Sequence, residues 1–274
     1  MIRFFLFVLV FQVCFAASAQ LSDYYNADSI RAEIESTPSF GLYKDNYFMG
    51  GIPLNHKVTR HNADIKFQLS IQQRITKSKL PFKTYLFLQY TQQAYWSILE
   101  NALPMRDINF NPALGIGHHI IYKGQYRGTV YLKGEHESNG SVTTYSRSWN
   151  KITVGSSLVL TNNFDVQFKT WYPIIDGRNN KDILHYKGIF ELGGNYLTND
   201  RAFNIGILFI KRKTWRLSFN TQIELSYKFN KKNNQYFFLQ YYNGYGENLL
   251  EYKKYHSNLR LGFAIKPTRG FSFY

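Results

Sequence analysis

Three polar residues could do acyl-transfer chemistry together. In Gly134-Glu135-His136-Glu137-Ser138-Asn139-Gly140, a histidine and a serine stand two residues apart, and Asn150 follows after a short gap. A serine hydroxyl is a weak nucleophile until an imidazole accepts its proton, and a third group must hold that imidazole in the useful tautomer. Ser138 would attack an ester carbonyl, His136 would act as base and then acid, and Asn150 would orient His136. Cys-His-Asn proteases show that an amide can fill the third role. The spacing alone is weak, because most His-x-Ser pairs on strands are ordinary surface residues.

Parity strengthens it. Residues two apart on a strand share a face, so His136 and Ser138 lie in one row with Val130 and Leu132. Thr129, Lys133 and Glu135 occupy the other row. Asn150 likewise shares a row with Ile152, Val154, Leu158 and Leu160. Strands near 128–138 and 149–160, joined by a loop over about 139–148, would be antiparallel neighbours with Asn150 beside the pair. If the apolar rows face lipid, three polar side chains converge where polarity is costly, and such a cost usually marks function.

The elements that must position these residues are strands. From Trp215 to Phe229, Trp215, Leu217, Phe219, Ile223, Leu225, Tyr227 and Phe229 alternate with Arg216, Ser218, Asn220, Gln222, Glu224, Ser226 and Lys228. Period-2 alternation with charges in one row and aromatics ending the other fits a barrel wall with interfacial girdles. Similar segments occur near 40–50, 64–72, 84–96, 110–122, 128–138, 149–160, 164–173, 184–194, 202–212, 235–243 and 257–266. The expectation is an all-β chain: one antiparallel transmembrane barrel of about twelve strands over 40–274. Turn signals separate the strands, as at Thr161-Asn162-Asn163.

Composition agrees. The 274 residues include 22 Tyr and 23 Phe, yet the mean hydropathy is only -0.35. That combination suits strands with one face in lipid and one turned inward. Met1-Ile2-Arg3, the apolar run Phe4–Phe15 and the small residues Ala17-Ser18-Ala19 read as a signal peptide over 1–19. A polar segment over 20–39 follows, with a short helix expected around Asp28–Glu35. The single cysteine, Cys14, lies inside the signal, so the exported chain would have no thiolate metal site, disulfide or cysteine nucleophile. The net charge of +15 suits anionic headgroups; export and the lack of any recognisable motif argue against nucleic acid.

The segments His136-Glu137-Ser138-Asn139-Gly140 and Ser146-Arg147-Ser148-Trp149-Asn150 closely resemble the signature of the bacterial outer membrane phospholipase A family. Lys66-Phe67-Gln68-Leu69-Ser70, Tyr90-Thr91-Gln92, Asn109-Phe110-Asn111-Pro112 and Tyr245-Gly246-Glu247-Asn248-Leu249 resemble corresponding family segments. The resemblance implies a twelve-stranded outer-membrane barrel with calcium-dependent phospholipase A1, A2 and lysophospholipase activity, activated by reversible homodimerisation, its site towards the outer leaflet. It implies an oxyanion site at Ser138 and Gly140. It also implies a Ca²⁺ site using the Ser146 hydroxyl, a loop carbonyl at Ser141 and a partner-subunit contact aligned with Ala102, where a serine is usual. Gln92 matches the family's interface glutamine. It also lies in an apolar row with Leu86, Leu88 and Tyr90, where an intermolecular hydrogen bond would contribute roughly 1 kcal/mol.

Two readings from other classes compete: a passive porin or structural barrel, and a lipid-binding barrel with basic loops. The first does not account for three outward polar residues in nucleophile, base and orienter roles; salt-sensitive binding that survives loss of Ser138 would mark the second.

Overall fold

The computed structural model describes residues 24–97, 99–175, 179–230 and 233–267. The proposed signal peptide over 1–19 lies outside the described residues. The twelve wall strands are β2 (Asn46–Pro53), β3 (Asp64–Arg74), β4 (Tyr85–Trp96), β5 (Met105–Tyr122), β6 (Gln125–Ser138), β7 (Ser148–Val159), β8 (Phe164–Ile174), β9 (Phe190–Leu197), β10 (Phe203–Lys211), β11 (Phe219–Lys228), β12 (Gln235–Tyr245) and β13 (Tyr255–Ile265). Each pairs antiparallel with its chain neighbours, and β13 pairs with β2, which closes the ring. A short strand, β1 (Phe40–Leu42), pairs with β3 ahead of β2. The expected first strand near 40–50 is thus broken at Tyr43–Asp45.

The alternation settles which side faces lipid. Leu132, Leu114, Ile152, Leu192, Ile223, Leu225, Leu261 and Phe263 are exposed on the outer wall. The inward row holds buried polar and charged side chains, many of them in ion pairs. Arg260 grips Asp64 through Nε–Oδ1 (2.9 Å) and Nη2–Oδ2 (3.0 Å) and also binds Glu247, which takes Lys66 at 3.2 Å. Lys169 meets Glu191 at 2.8 Å, and Lys133 donates to the Tyr43 hydroxyl at 2.9 Å. A buried charge persists only when paired and hydrogen-bonded, so the lumen is packed with ion pairs around a cavity of about 220 Å³.

The two ends differ. Chain segments 54–63, 97–104, 139–147, 175–189, 212–218 and 246–254 join strands at one end; 75–84, 123–124, 160–163, 198–202 and 229–234 join them at the other. The 246–254 segment folds into the mouth. Its Leu249 N–H donates to Asp107 Oδ2 and Asn109 Oδ1, both at 3.0 Å. Leu249 and Tyr252 pack with Trp149, Trp171, Ile183 and Leu184. At the other end lies helix α1 (Tyr24–Ser36), which covers the expected Asp28–Glu35. Arg74 satisfies its last carbonyls, Ile34 O at 2.8 Å and Glu35 O at 3.2 Å. Burial works against a charge on Glu35, but the Ser78 hydroxyl and N–H donate to it and hold its carboxyl below the usual range.

Two expected strands start later than their patterns. Within 184–194, residues Leu184–Lys187 form a short helix, α2, and pairing begins only at Phe190. Leu184 is needed in the mouth cluster, so tertiary packing overrides the local alternation. Likewise Trp215 and Leu217 belong to the β10–β11 connection, because pairing stops at Lys211↔Phe219.

Candidate active site

The register places the three residues as their parity requires. His136 lies directly opposite Asn150, and Ser138 opposite Ser148. His136 Nδ1 is 2.7 Å from Asn150 Oδ1. An amide oxygen accepts only, so Nδ1 carries the proton and donates to Asn150, leaving Nε2 with its lone pair. Ser138 stands two residues along the same outward row, at the last paired position of β6. Tyr131, Lys133, Glu135 and Glu137 are buried in the lumen, whereas His136, Ser138 and Asn150 are half-buried on the lipid side.

Behind this row, groups that sequence reasoning passed over hold the two strands. Glu137 Oε2 accepts from Trp149 Nε1 at 2.9 Å, and its Oε1 binds Lys187 of α2 at 2.6 Å. Trp149 precedes Asn150, so one lumen carboxylate ties the neighbours of His136, Ser138 and Asn150 together. Lys151 sits over the Trp149 ring, 4.7 Å from its centroid. The only signal in the sequence was the inward parity of Glu137 and Trp149.

The loop after β6 is also pinned. Asn139 Oδ1 accepts from the Arg147 N–H at 2.9 Å, and its Nδ2 donates to Tyr145 O at 3.0 Å. From the β8–β9 connection, Asn179 Nδ2 donates to Thr143 O at 2.8 Å and Asn180 Nδ2 to Ser148 O at 2.9 Å. Gly140 has φ +64°, and a Cβ there would lie 3.0 Å from the Phe110 ring. Gly140→Ala is therefore expected to cost about 1–2 kcal/mol of backbone strain and to displace the loop. Turnover of an ester substrate should fall about tenfold or more; unchanged turnover would show that this turn does not set the site.

The remaining expected positions lie around the same end. Ser141 is exposed and Ser146 half-buried in the loop; Ala102 is exposed in the 97–104 connection, at φ +65°. Hydroxyl and carbonyl oxygens are hard donors that suit Ca²⁺, so Ser141 and Ser146 fit such an ion chemically. Among the described residues, no group of three or more His, Cys, Asp or Glu is arranged to hold a metal. Gln92 lies on the outer wall of β4, opposite exposed Leu69 of β3 and in the same row as exposed Leu88, and its Oε1 accepts from the Tyr90 hydroxyl at 2.9 Å.

The chain is similar to proteins of known family. The model of the family described as Phospholipase A1 matches residues 34–265. The chain belongs to the phospholipase A1 family. It is 30% identical over 208 residues to phospholipase A1 of Escherichia coli, covering 74% of this chain and 69% of that protein. It is 25% identical over 217 residues to a putative phospholipase A1 of Neisseria meningitidis, covering 76% of this chain and 56% of that protein. Among solved structures, outer membrane phospholipase A from Escherichia coli superposes with a TM-score of 0.74 at 24% identity, covering 87% of this chain and 97% of that one. A Salmonella typhi outer membrane phospholipase, solved as a dimer with bound calcium, gives the same values. An E. coli variant with an active-site asparagine changed to alanine matches at 23% identity, with a TM-score of 0.74 and the same coverage. The chain is therefore an enzyme of phospholipid hydrolysis, with the barrel fold of an outer membrane phospholipase.

Proposed function

We propose that this phospholipase A1 family member is a calcium-dependent hydrolase of phospholipid and lysophospholipid acyl esters, with A1, A2 and lysophospholipase activity. Ser138 is its nucleophile, His136 its general base and acid, and Asn150 the residue that orients His136. The observation that carries this reading is the 2.7 Å His136 Nδ1–Asn150 Oδ1 contact on the lipid-facing wall, beside a serine in the same row.

The reaction follows from the tautomer. With Nδ1–H given to Asn150, His136 Nε2 accepts the Ser138 proton as Oγ attacks the acyl carbonyl. The charge that develops on the carbonyl oxygen falls at the end of β6, where the Ser138 and Gly140 N–H groups are the candidate donors. His136 then protonates the departing alcohol oxygen, which leaves an acyl ester on Ser138. Water, deprotonated by the same Nε2, attacks that ester, and the proton returns to Ser138. The fatty acid leaves. Ser146 and Ser141, with a main-chain oxygen of Ala102 from a second subunit, would hold Ca²⁺. When bound, the ion supplies positive charge near the developing oxyanion.

Dimerisation fits the same surface. Gln92 is an amide in an apolar outer row, and a second copy would offer it a hydrogen bond that lipid cannot. The Salmonella typhi relative, a dimer with bound calcium, supports both readings, and the active-site asparagine of the E. coli variant supports Asn150. The longer connections at the Ser138 end suit the outside of an outer-membrane barrel, which supports a site towards the outer leaflet. The 1–19 signal would deliver the chain there, leaving the 20–39 segment and the barrel over 40–274.

The test is fatty-acid release from phospholipid–detergent micelles by refolded protein, with calcium or with a chelator. Release should need calcium, and Asn150→Ala should lower turnover about 10²-fold with little change in KM, since an imidazole without its orienter samples the wrong tautomer. Chelator-resistant release would sink the calcium role. An Asn150→Ala variant at full turnover would sink the triad.

A further inference from the structure

The connection between β10 and β11 is built unlike an ordinary surface loop. Lys211 Nζ donates to three of its carbonyls, Arg212 O at 2.7 Å and Thr214 O and Arg216 O at 3.0 Å. Thr214 Oγ1 and Ser218 Oγ lie 2.6 Å apart, and the Lys213 N–H donates to Leu184 O at 3.1 Å. The Arg212 guanidinium sits 4.9 Å from the Tyr245 ring centroid. The loop is thus held in one shape, and that shape exposes its apolar side chains. Trp215 is 106% exposed and Leu217 is 89% exposed.

Both exposed residues continue the lipid-facing row of β11, sharing the parity of Phe219, Ile223, Leu225 and Tyr227. They stand within four residues of the first paired position of that strand. Lys213 and Arg216, also exposed, flank them, and no acidic residue occurs from Arg201 to Ile223. An indole fully in water is costly, whereas Trp favours the membrane–water interface. Lys and Arg at that depth meet lipid phosphates. A loop already rigid loses little entropy on docking.

We propose that this connection is a membrane anchor, in which Trp215 and Leu217 insert at the headgroup level and Lys213 and Arg216 bind anionic, phosphate-bearing lipids of the surrounding leaflet. It is separate from the Ser138 site and needs only the barrel to be in a bilayer.

The test uses full-length barrel in vesicles of phosphatidylcholine, with or without phosphatidylglycerol. Subtracting the emission of Trp215→Phe isolates the Trp215 signal from the other tryptophans. Trp215 should be quenched by lipids brominated near the head of the acyl chain and shielded from acrylamide. Quenching should rise with phosphatidylglycerol and fall with salt, each cation contributing about fivefold to docking. Lys213→Gln with Arg216→Gln should remove the phosphatidylglycerol and salt dependence while leaving hydrolysis of neutral micelles unchanged, which shows that the barrel is folded. A Trp215 open to acrylamide in both lipids overturns the proposal. Shielding without lipid quenching also overturns it, because a protein then covers the loop. Lipid quenching indifferent to phosphatidylglycerol overturns the anionic-lipid half.

Discussion

Ser138→Ala is expected to reduce fatty-acid release by on the order of 10⁴-fold or more, to the level left by binding and charge stabilisation alone. On the proposed mechanism the alanine removes the Oγ that forms the acyl ester, while the outer row of β6 keeps its geometry. His136 still faces Asn150 across the ladder, so a water activated by His136 is the sole remaining attacker. His136→Ala should fall by a similar factor, and the double variant should lose little more, because the two act as one unit. The measurement is single-turnover release from micelles, alongside heat-modifiable mobility to confirm the folded barrel. A Ser138→Ala variant retaining a tenth of wild-type release would place the nucleophile elsewhere.

The second large effect concerns stability. Arg260 is 2% exposed and is shared between Asp64 and Glu247, with Glu247 also taking Lys66 and the Asn258 amide. Arg260→Met leaves two carboxylates in the lumen with one nearby cation between them. Breaking one side of such a buried cluster costs about 3–5 kcal/mol. A denaturant titration of the refolded barrel should show this as a lower midpoint. Lysine should rescue only in part, because it cannot grip Asp64 bidentately. A shift below about 1 kcal/mol would mean that lumen water replaces the guanidinium.

Much of this was legible in the residues. Alternation gave the closed wall of twelve strands, and the parity of His136, Ser138 and Asn150 put them outward, as Leu132 and Ile152 on the outer wall bear out. The alternation misled where chain outside the ladder keeps the same rhythm. Leu184 obeys it yet turns into the mouth cluster, and Trp215 and Leu217 obey it beyond the last ladder bond. Period 2 records which residues would face lipid, not where pairing ends. The inner partnerships were harder to see. That Arg260 meets Asp64, or Glu137 meets Lys187, depends on how the closed ring brings distant strands together, and no local spacing encodes it.

The outward placement of His136 and Asn150 near the last rungs of β6 and β7 has a consequence for how substrate is met. On the proposed function, a lipid would reach these residues by sliding sideways within its own leaflet. What remains selective is height. The apolar belt of the wall fixes how deep the barrel rides in the bilayer, so the proposed site would meet lipids at one level, near the boundary where glycerol esters lie. A thicker or thinner membrane shifts that level against the protein, making bilayer thickness a determinant of which bond comes within reach.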